Sequence, residues 1–363
     1  MKAVVMWERG EPLAVEDVQI DNPGPGEVLV KTAASGICHS DLHVVDGGLP
    51  VPPPCVLGHE PAGVVEAVGP DVTAFAPGDH VIGCLSAFCG LCEFCMTGKP
   101  YLCLGAADFS RPMDATPRLQ CDGKPLFQMT NLSSFAEQML AHERGLVKIR
   151  PDMPLDRAAL IGCGVTTGLG AALNTAQVRP GQSAAIIGCG GVGLSALQGC
   201  RIAGASRIVA VDNQAWKLEL ARKLGATDVV NSADEDAVMK VLEMTGGGVD
   251  YAFECIGLPP TVQQAVGMIR RGGTALLVGV VPIGQVVELM PADITLQEKR
   301  VVGSMMGSNR FRVDMPRYVD FYLDGRLNLD EMITARIGLD GVNDAFEAMR
   351  KGEQGRQVIC FDS

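Results

Sequence analysis

The feature that most limits the fold of this 363-residue chain is a glycine-rich turn between an apolar segment and a helical one. The apolar run SAAII precedes GCGGVG, in which Gly188, Gly190 and Gly193 fit the pattern G-x-G-x-x-G. A second apolar run, RIVAVDN, follows the helical stretch and contains Asp212. A strand, a tight turn, a helix and a second strand make the repeating unit of a parallel, doubly wound sheet. The pattern therefore predicts an α/β fold.

The same turn predicts a dinucleotide-binding site of the Rossmann type. Its glycines allow the backbone to approach a pyrophosphate at the helix N-terminus, where free amides and the helix dipole favour anions. We expect contacts from the residues of this turn, Gly188, Gly190, Gly191, Val192 and Gly193. Asp212 would accept hydrogen bonds from the adenosine ribose hydroxyls and repel a 2′-phosphate, which favours NAD over NADP. The alternative is a glycine-rich turn that serves only close packing.

A change in the pattern of predicted strands and helices along the sequence indicates two domains. Residues 1–150 contain short β-branched runs between Gly and Pro residues, which predicts a mainly β module. Strand and helix patterns then alternate, and the tail after Gly303 contains two predicted helices and the apolar run QVICF, which we expect to pack on the first module. We therefore assign residues 1–160 and 305–363 to a catalytic domain and 161–304 to an NAD-binding domain. Residues 106–129 are predicted to form a long irregular loop.

Composition excludes several classes of function. The chain is 47% hydrophobic and carries a net charge of −12 without a basic patch, which argues against nucleic acid and anionic membranes as partners. No apolar run approaches the roughly 20 residues of a membrane span, and charged residues interrupt the N-terminal segment where a secretory signal would be apolar. We expect a cytoplasmic enzyme whose thirteen cysteines are metal ligands or small buried residues.

Four of these cysteines predict a structural metal site. Cys89, Cys92, Cys95 and Cys103 lie in CGLCEFCMTGKPYLC, and a tight loop of this kind can place four thiolates around one zinc ion. Such a site has no open coordination position and is not expected to be catalytic. An iron–sulfur cluster or four unrelated buried cysteines are the alternatives.

A second possible metal site is scattered along the chain. Cys38 lies in SGICHSD, His59 in LGHEPAG and Cys163 in IGCGVTTG. Taken singly, each residue is more typical of an ordinary buried side chain than of a metal ligand. Together, two sulfurs and one imidazole would leave zinc a position open for water or substrate, as a Lewis-acid catalyst requires.

These motifs together resemble the zinc-dependent medium-chain alcohol dehydrogenases, over nearly the whole chain. The matching segments include GICHSD, GHEPAGVVEAVG, the four-cysteine loop, GCGVTTG, GCGGVG and GRQVICF. The resemblance implies a GroES-like catalytic domain beside the Rossmann domain, with two zinc ions per chain and NAD as cofactor. It implies that Cys38, His59 and Cys163 bind the catalytic zinc and that the four-cysteine loop binds the structural one. The expected reaction is the reversible oxidation of an alcohol to an aldehyde or ketone.

The resemblance also implies roles for residues around the metal. Ser40 and His43 match a relay for the substrate proton, and Asp41 matches a carboxylate that holds His59 by the nitrogen not bound to metal. Glu60 matches a residue behind the metal that approaches it when ligands exchange, although a plain buried ion pair is an equal alternative. Further expected cofactor contacts come from five matching positions, His39, Thr167, Lys217, Val278 and Arg356.

The substrate and the assembly are predicted less directly. The positions that match the substrate pocket are apolar, Leu49, Leu85 and Met306, which favours an aliphatic, allylic, terpenoid or aromatic alcohol. Related glutathione-dependent formaldehyde dehydrogenases have charged groups where this chain has Leu49 and Ala107, and the absence of these charges argues against their anionic thiol adduct as the substrate. The 60-residue separation of Cys103 and Cys163 resembles that of dimeric members. We therefore expect a homodimer, joined by an edge strand at residues 275–280.

Three other functions stay open at this stage. One is a polyol dehydrogenase, although these typically lack a complete four-cysteine loop. Another is a non-catalytic NAD-binding redox sensor, and the last is a zinc-free quinone or enone reductase of the same fold. The complete set Cys38, His59 and Cys163 favours catalysis with a metal, because a protein that only binds nucleotide needs no open metal position.

Overall fold

The computed structural model describes residues 1–105, 109–112 and 115–361, and its contacts divide the chain into two units. The first unit comprises Met1–Cys163, Arg310–Gly325 and Leu329–Ser363, and the second comprises Gly164–Asn309 and Arg326–Asn328. Strands β1 to β20 are, in chain order, Lys2–Met6, Ala14–Asp17, Gln19–Ile20, Glu27–Gly36, Cys55–Val56, Pro61–Val68, His80–Gly83, Leu119–Cys121, Lys124–Pro125, Phe127–Gln128, Gln138–His142, Leu146–Lys148, Ser183–Ile187, Arg207–Asp212, Asp228–Asn231, Val249–Glu254, Ile269–Leu277, Arg300–Gly303, Ile333–Ile337 and Arg356–Cys360. Helices α1 to α11 are His39–Val45, Glu93–Met96, Leu155–Leu160, Thr166–Gly170, Gly191–Ile202, Ala215–Leu224, Ala237–Thr245, Pro259–Met268, Pro291–Leu296, Phe311–Leu323 and Val342–Lys351.

The first unit is built mainly from β-strands. Its largest sheet has seven strands in the order β12-β7-β6-β4-β20-β19, and β11 also pairs with β4. Strand β4 is the longest and buries Val28 and Val30 against a core that includes Leu132 and Met139. The C-terminal strand β20 pairs antiparallel with β4, so the tail completes this sheet. A four-stranded sheet, β10-β5-β1-β2, and a three-stranded sheet, β3-β8-β9, accompany it.

The second unit contains the predicted doubly wound sheet, which is confirmed. Its six strands run in the order β15-β14-β13-β16-β17-β18, and each neighbouring pair is parallel. Strands β13 and β14 are almost wholly buried, as expected for strands with helices on both faces. Helices α4 to α9 all lie in this unit.

Two expectations about local structure are wrong. The strand that covers residues 275–277 is not at the sheet edge, because the chain returns after it and β18 pairs along its outer side. The described part of residues 106–129 is also not wholly irregular, since β8 and β9 form a hairpin and β10 joins the sheet of β1.

The borders of the two units lie close to the assigned domain limits. Residues 305–309 group with the second unit because hydroxyl and amide groups of the helical stretch that follows Thr166 bind them. Thr175 Oγ1 lies 2.8 Å from the hydroxyls of both Ser304 and Ser308, and Asn174 Nδ2 donates to the carbonyl oxygen of Gly307.

One helical stretch, Leu155–Thr175, is long and apolar enough by composition to cross a membrane. Of its most apolar window, 83% is buried within the protein, as is usual for a core helix.

Candidate functional site

The four cysteines of the loop at residues 89–103 converge on one point. Cys92 Sγ lies 3.5 Å from Cys95 Sγ and 3.9 Å from Cys103 Sγ, and Cys89 Sγ lies 4.0 Å from Cys95 Sγ. The edge of a tetrahedron with metal–sulfur bonds of about 2.3 Å is about 3.8 Å. The sulfur positions therefore fit tetrahedral zinc.

Backbone amides favour the thiolate form of two of these cysteines, Cys89 and Cys92. The amides of Leu91 and Cys92 donate to Cys89 Sγ, and the amides of Cys89 and Gly105 donate to Cys103 Sγ. Hydrogen bonds from backbone amides lower the pKa of Cys92 to about 6 and also lower the pKa of Cys89. Metals bind the thiolate form, so the loop is electrostatically suited to a cation.

The second cluster brings together residues that are far apart in sequence, and all of them belong to the first unit. Cys38 caps the N-terminus of α1, His59 lies two residues before the start of β6, and Cys163 lies in a π-helical turn, Ile161–Val165. Ligand atoms of Cys38, His59, Glu60 and Cys163 all lie within 4.8 Å of one another, and all four residues are buried. The structure thus joins the scattered residues that the sequence offered.

Asp41 holds the imidazole and the loop around it. Its Oδ1 lies 3.0 Å from His59 Nδ1 and accepts from the Gly58 amide, while its Oδ2 accepts from the Cys38 amide. Asp41 and His59 are both 0% exposed. Burial acts to lower the pKa of His59, but the charge of Asp41 and the hydrogen bond to it have the larger combined effect, and this pKa is raised. A bond from Nδ1–H to Asp41 leaves Nε2 as the free acceptor.

His59 Nε2 is the observation that tests whether a metal fits. This atom is fully buried and has no hydrogen-bond partner in the described part of the chain. Buried polar atoms without a partner are uncommon, because their desolvation is not compensated. The sulfurs of Cys38 and Cys163 lie beside it, and a hydrogen bond from the Cys163 thiol holds the pKa of Cys38 well below its usual value. An imidazole nitrogen and a stabilised thiolate in one dry cluster are suitable zinc ligands.

A buried ion pair, which was one of the two alternatives for Glu60, lies behind this cluster, and the sequence did not identify its partner. Glu60 is 0% exposed and its Oε2 accepts from an Nη2 group of Arg356, which is itself only 9% exposed. Burial raises the pKa of Glu60 to about 7. Gly36 allows the close approach, since a Cβ there would collide with the Glu60 carboxylate. Arg356 was expected at the cofactor pyrophosphate, and only the pairing of β20 with β4 reveals that it reaches Glu60.

The remaining predicted residues of the first unit lie on or near α1. His39 and His43 are exposed on this helix, and Ser40 between them is half-buried. Leu49 is half-buried and packs against the apolar core next to α1, and Leu85 is half-buried before the four-cysteine loop. Ala107 lies outside the described residues.

The glycine-rich turn has the geometry that a phosphate-binding turn needs. Gly188 has φ of +91°, and a Cβ on Gly193 would overlap the carbonyl oxygen of Gly188. Gly190 caps α5 without a side-chain hydrogen bond, and no atom lies within 4 Å of the position that its Cβ would take. With Gly191 and Val192, it leaves the N-terminal amides of α5 approachable.

Four further predicted residues, three of them besides Asp212 named from the resemblance, also belong to the second unit. Asp212 ends β14, and its two carboxylate oxygens accept from the amides of Cys189 and Gln214, at 2.7 and 2.9 Å. Lys217 Nζ lies 5.6 Å from the centroid of the neighbouring Trp216 ring. Val278 follows β17 and is buried. Thr167 Oγ1 lies 3.3 Å from Met306 Sδ, so these two predicted residues are in contact.

Comparisons with known proteins agree with this geometry. A family model described as an alcohol dehydrogenase GroES-like domain matches residues 24–151, and one described as a zinc-binding dehydrogenase matches residues 191–324. The chain is 40% identical to the alcohol dehydrogenase class-3 of Oryza sativa subsp. japonica, over 99% of this chain and 97% of that protein.

Solved structures give the same result. An alcohol dehydrogenase zinc-binding domain protein from Burkholderia ambifaria superimposes with a TM-score of 0.95 at 37% identity, covering 100% of this chain and 99% of the other. Benzyl alcohol dehydrogenase from Acinetobacter calcoaceticus gives a TM-score of 0.94 at 35% identity, over 99% of each chain. The chain is therefore an oxidoreductase that belongs to the zinc-dependent alcohol dehydrogenases of the medium-chain dehydrogenase/reductase type.

Proposed function

We propose that this protein binds two zinc ions per chain and catalyses the reversible oxidation of a hydrophobic alcohol with NAD. The proposal rests chiefly on the buried, unpartnered Nε2 of His59, which lies beside the sulfurs of Cys38 and Cys163. A zinc ion held by these three residues would supply a Lewis acid for the substrate oxygen, and NAD would accept the hydride. The four-cysteine loop holds the second zinc and has a structural role.

The protein's own side chains move the substrate proton in this proposal. Ser40 Oγ takes the hydroxyl proton of the alcohol and passes it towards His43, three residues later on the same helix. His43 is exposed, so its imidazole can release the proton to water. Asp41 keeps His59 Nδ1 protonated and Nε2 free to bind metal. Glu60 and Arg356 pair with each other behind the metal ligands.

The second unit provides the cofactor residues. The open position at Gly190 and the uncapped amides of α5 suit a pyrophosphate. Each oxygen of Asp212 accepts one backbone amide and keeps a lone pair for a ribose hydroxyl. Its negative charge would oppose the additional phosphate of NADP, so we propose NAD as the cofactor.

The apolar side chains Leu49, Leu85 and Met306 support a hydrophobic substrate. The similarity to a benzyl alcohol dehydrogenase supports an aromatic alcohol within that class. A polyol dehydrogenase is the competing function, but apolar residues at these three positions offer no hydrogen bonds to a polyol.

We also propose a cytoplasmic homodimer. All thirteen cysteines are free, which suits a reducing compartment. Several large apolar side chains are exposed in the segment that follows β17, Val280, Ile283, Val286 and Met290. We infer that a second copy of the chain covers these side chains and the outer edge of β18, which ends the six-stranded sheet.

The decisive experiment is the substitution Cys163→Ser. We expect zinc content to fall from two to one per chain and alcohol oxidation to be lost, while the four-cysteine site keeps its metal. Cys360→Ser is the control, because Cys360 lies outside both clusters. Activity is followed by NADH absorbance with benzyl alcohol, 1-octanol, sorbitol and S-hydroxymethylglutathione. Full alcohol oxidation by Cys163→Ser would show that the catalytic assignment is wrong, and a preference for sorbitol would favour the competing function.

A further inference from the structure

A buried carboxylate in the second unit has no role in the function described so far. Glu254 ends β16 and is 0% exposed. Its Oε1 accepts from the amides of Ile256 and Gly257 and from Thr261 Oγ1, at 2.9, 2.8 and 2.8 Å. Its Oε2 has no hydrogen-bond partner among the described residues, and none of their cationic side chains forms a salt bridge with Glu254. Within the described part of the chain, hydrogen-bond donors and the start of α8 therefore compensate its charge.

Glu254 lies at the edge of the sheet where a dinucleotide is expected to bind. The strand order reverses between β13 and β16, and ligands of open α/β sheets bind at the carboxyl ends of strands beside such a reversal. The glycine-rich turn follows β13, and the Cys255 amide donates to the carbonyl oxygen of Ile187 at 2.9 Å. Glu254 is thus one strand away from the turn.

The residue is also joined to the position that was predicted to contact the cofactor. The carbonyl oxygen of Glu254 accepts from the amides of both Val278 and Gly279, each at 2.9 Å. A Cβ on Gly279 would lie 2.8 Å from Glu254 Oε2, so the carboxylate is in contact with this backbone. The charge is buried directly beside the residues after β17.

We propose that Glu254 makes the protein bind oxidised nicotinamide more tightly, relative to the reduced form, than it otherwise would. This inference rests on the proposed function, because it requires NAD at this edge. The oxidised ring carries a positive charge that the reduced ring lacks, whereas the phosphates and riboses are the same in both forms. A buried charge is weakly screened and acts over several ångströms, so Glu254 lowers the free energy of the oxidised complex selectively.

The test compares the dissociation constants of NAD⁺ and NADH, measured by titration calorimetry on the zinc-loaded protein. Glu254→Gln removes the charge and keeps an oxygen to accept the three hydrogen bonds. We expect it to raise the ratio Kd(NAD⁺)/Kd(NADH) by about five- to tenfold. Asp250→Asn is the matched control, since Asp250 lies near the other end of the same strand and binds Ser183 and Arg270. The control should leave the ratio unchanged.

A purely structural role would weaken both complexes alike. Equal weakening by Glu254→Gln, or an unchanged ratio, would therefore overturn the inference. Glu254→Asp gives a second test if the glutamine variant does not fold: withdrawing the carboxylate by one methylene should raise the ratio about twofold. A ratio that stays constant or falls in this variant contradicts the inference. If the unmodified protein bound neither NAD⁺ nor NADH, the proposed cofactor would be wrong as well.

Discussion

Glu27 connects the described residues after the four-cysteine loop to the main sheet of the first unit, and its removal should destabilise that unit. Glu27 Oε1 accepts from Arg118 Nε at 2.7 Å, and Oε2 accepts from Arg111 Nη2 at 2.5 Å and from the Gly24 amide at 2.8 Å. The side chains of Glu27 and Arg118 are each only 4% exposed. Glu27→Gln would leave the buried Arg118 without its anionic partner.

The expected loss follows from the pKa of Glu27. Burial alone would raise this pKa, but the hydrogen bonds from Arg111, Gly24 and Arg118 have the larger combined effect and lower it from 4.5 to about 2. A carboxyl whose folded-state pKa is lowered stabilises the fold above its unfolded-state pKa and loses that contribution as the pH falls towards 2. The shift corresponds to about 3 kcal/mol at pH 6 and about 1 kcal/mol at pH 3.

Urea unfolding followed by circular dichroism, at pH 6 and pH 3, measures this difference. Glu27→Gln should lower the free energy of unfolding by about 3 kcal/mol at pH 6, and the gap between variant and unmodified protein should narrow at pH 3. Asp17→Asn is the control, because its salt bridge with Lys2 is exposed and should contribute little. A loss below about 1 kcal/mol at pH 6, or a gap that is the same at both pH values, would refute the reasoning.

Three further predictions concern the metal, the cofactor and the assembly. Asp41→Asn should weaken metal binding at the Cys38 cluster by about 10- to 100-fold in a chelator competition while the four-cysteine site is unaffected; equal affinity would contradict the role of Asp41. Asp212→Gly should weaken NAD binding and relax discrimination against NADP. Steady-state kinetics with both cofactors measure this preference, and an unchanged preference would contradict the role of Asp212. Ile283→Asp, at a side chain that is 92% exposed, should produce monomers in size-exclusion chromatography with light scattering. The control is Leu91→Asp, at an 85% exposed side chain on the four-cysteine loop, which should leave the dimer intact. If Ile283→Asp remained a dimer, the interface would lie elsewhere.

The fold could be predicted where a local pattern determines local structure. SAAII, GCGGVG and RIVAVD predict β13, the turn before α5 and β14, because strand burial and helix initiation depend on neighbouring residues. The edge of the sheet could not be predicted in this way. Strand β18 pairs with β17 through residues that are 26 positions apart, and no local periodicity indicates that pairing.

The same difference between local and long-range features applies to the candidate site. The four-cysteine loop is a local motif, so its spacing alone indicates convergence of the sulfurs. The second cluster is not local, because Cys38 and Cys163 are 125 positions apart and His59 lies between them in the sequence. Without the structure, only the resemblance to a family indicates that the three residues meet. A buried ion pair at Glu60 was an alternative from the sequence, but Arg356 was not identified as the partner because the pair depends on β20 reaching β4 from the far end of the chain.

The π-helical turn that carries Cys163 restricts insertions and deletions of residues in this part of the chain. A π-helical turn contains one residue more than an α-helical one, and Ile161–Val165 adopts this form in the middle of a long helical stretch. Deleting one residue just ahead of the thiol would rotate it by about 100° around the helix axis and carry it away from the imidazole. Small insertions and deletions should therefore be tolerated in exposed connections and rejected here.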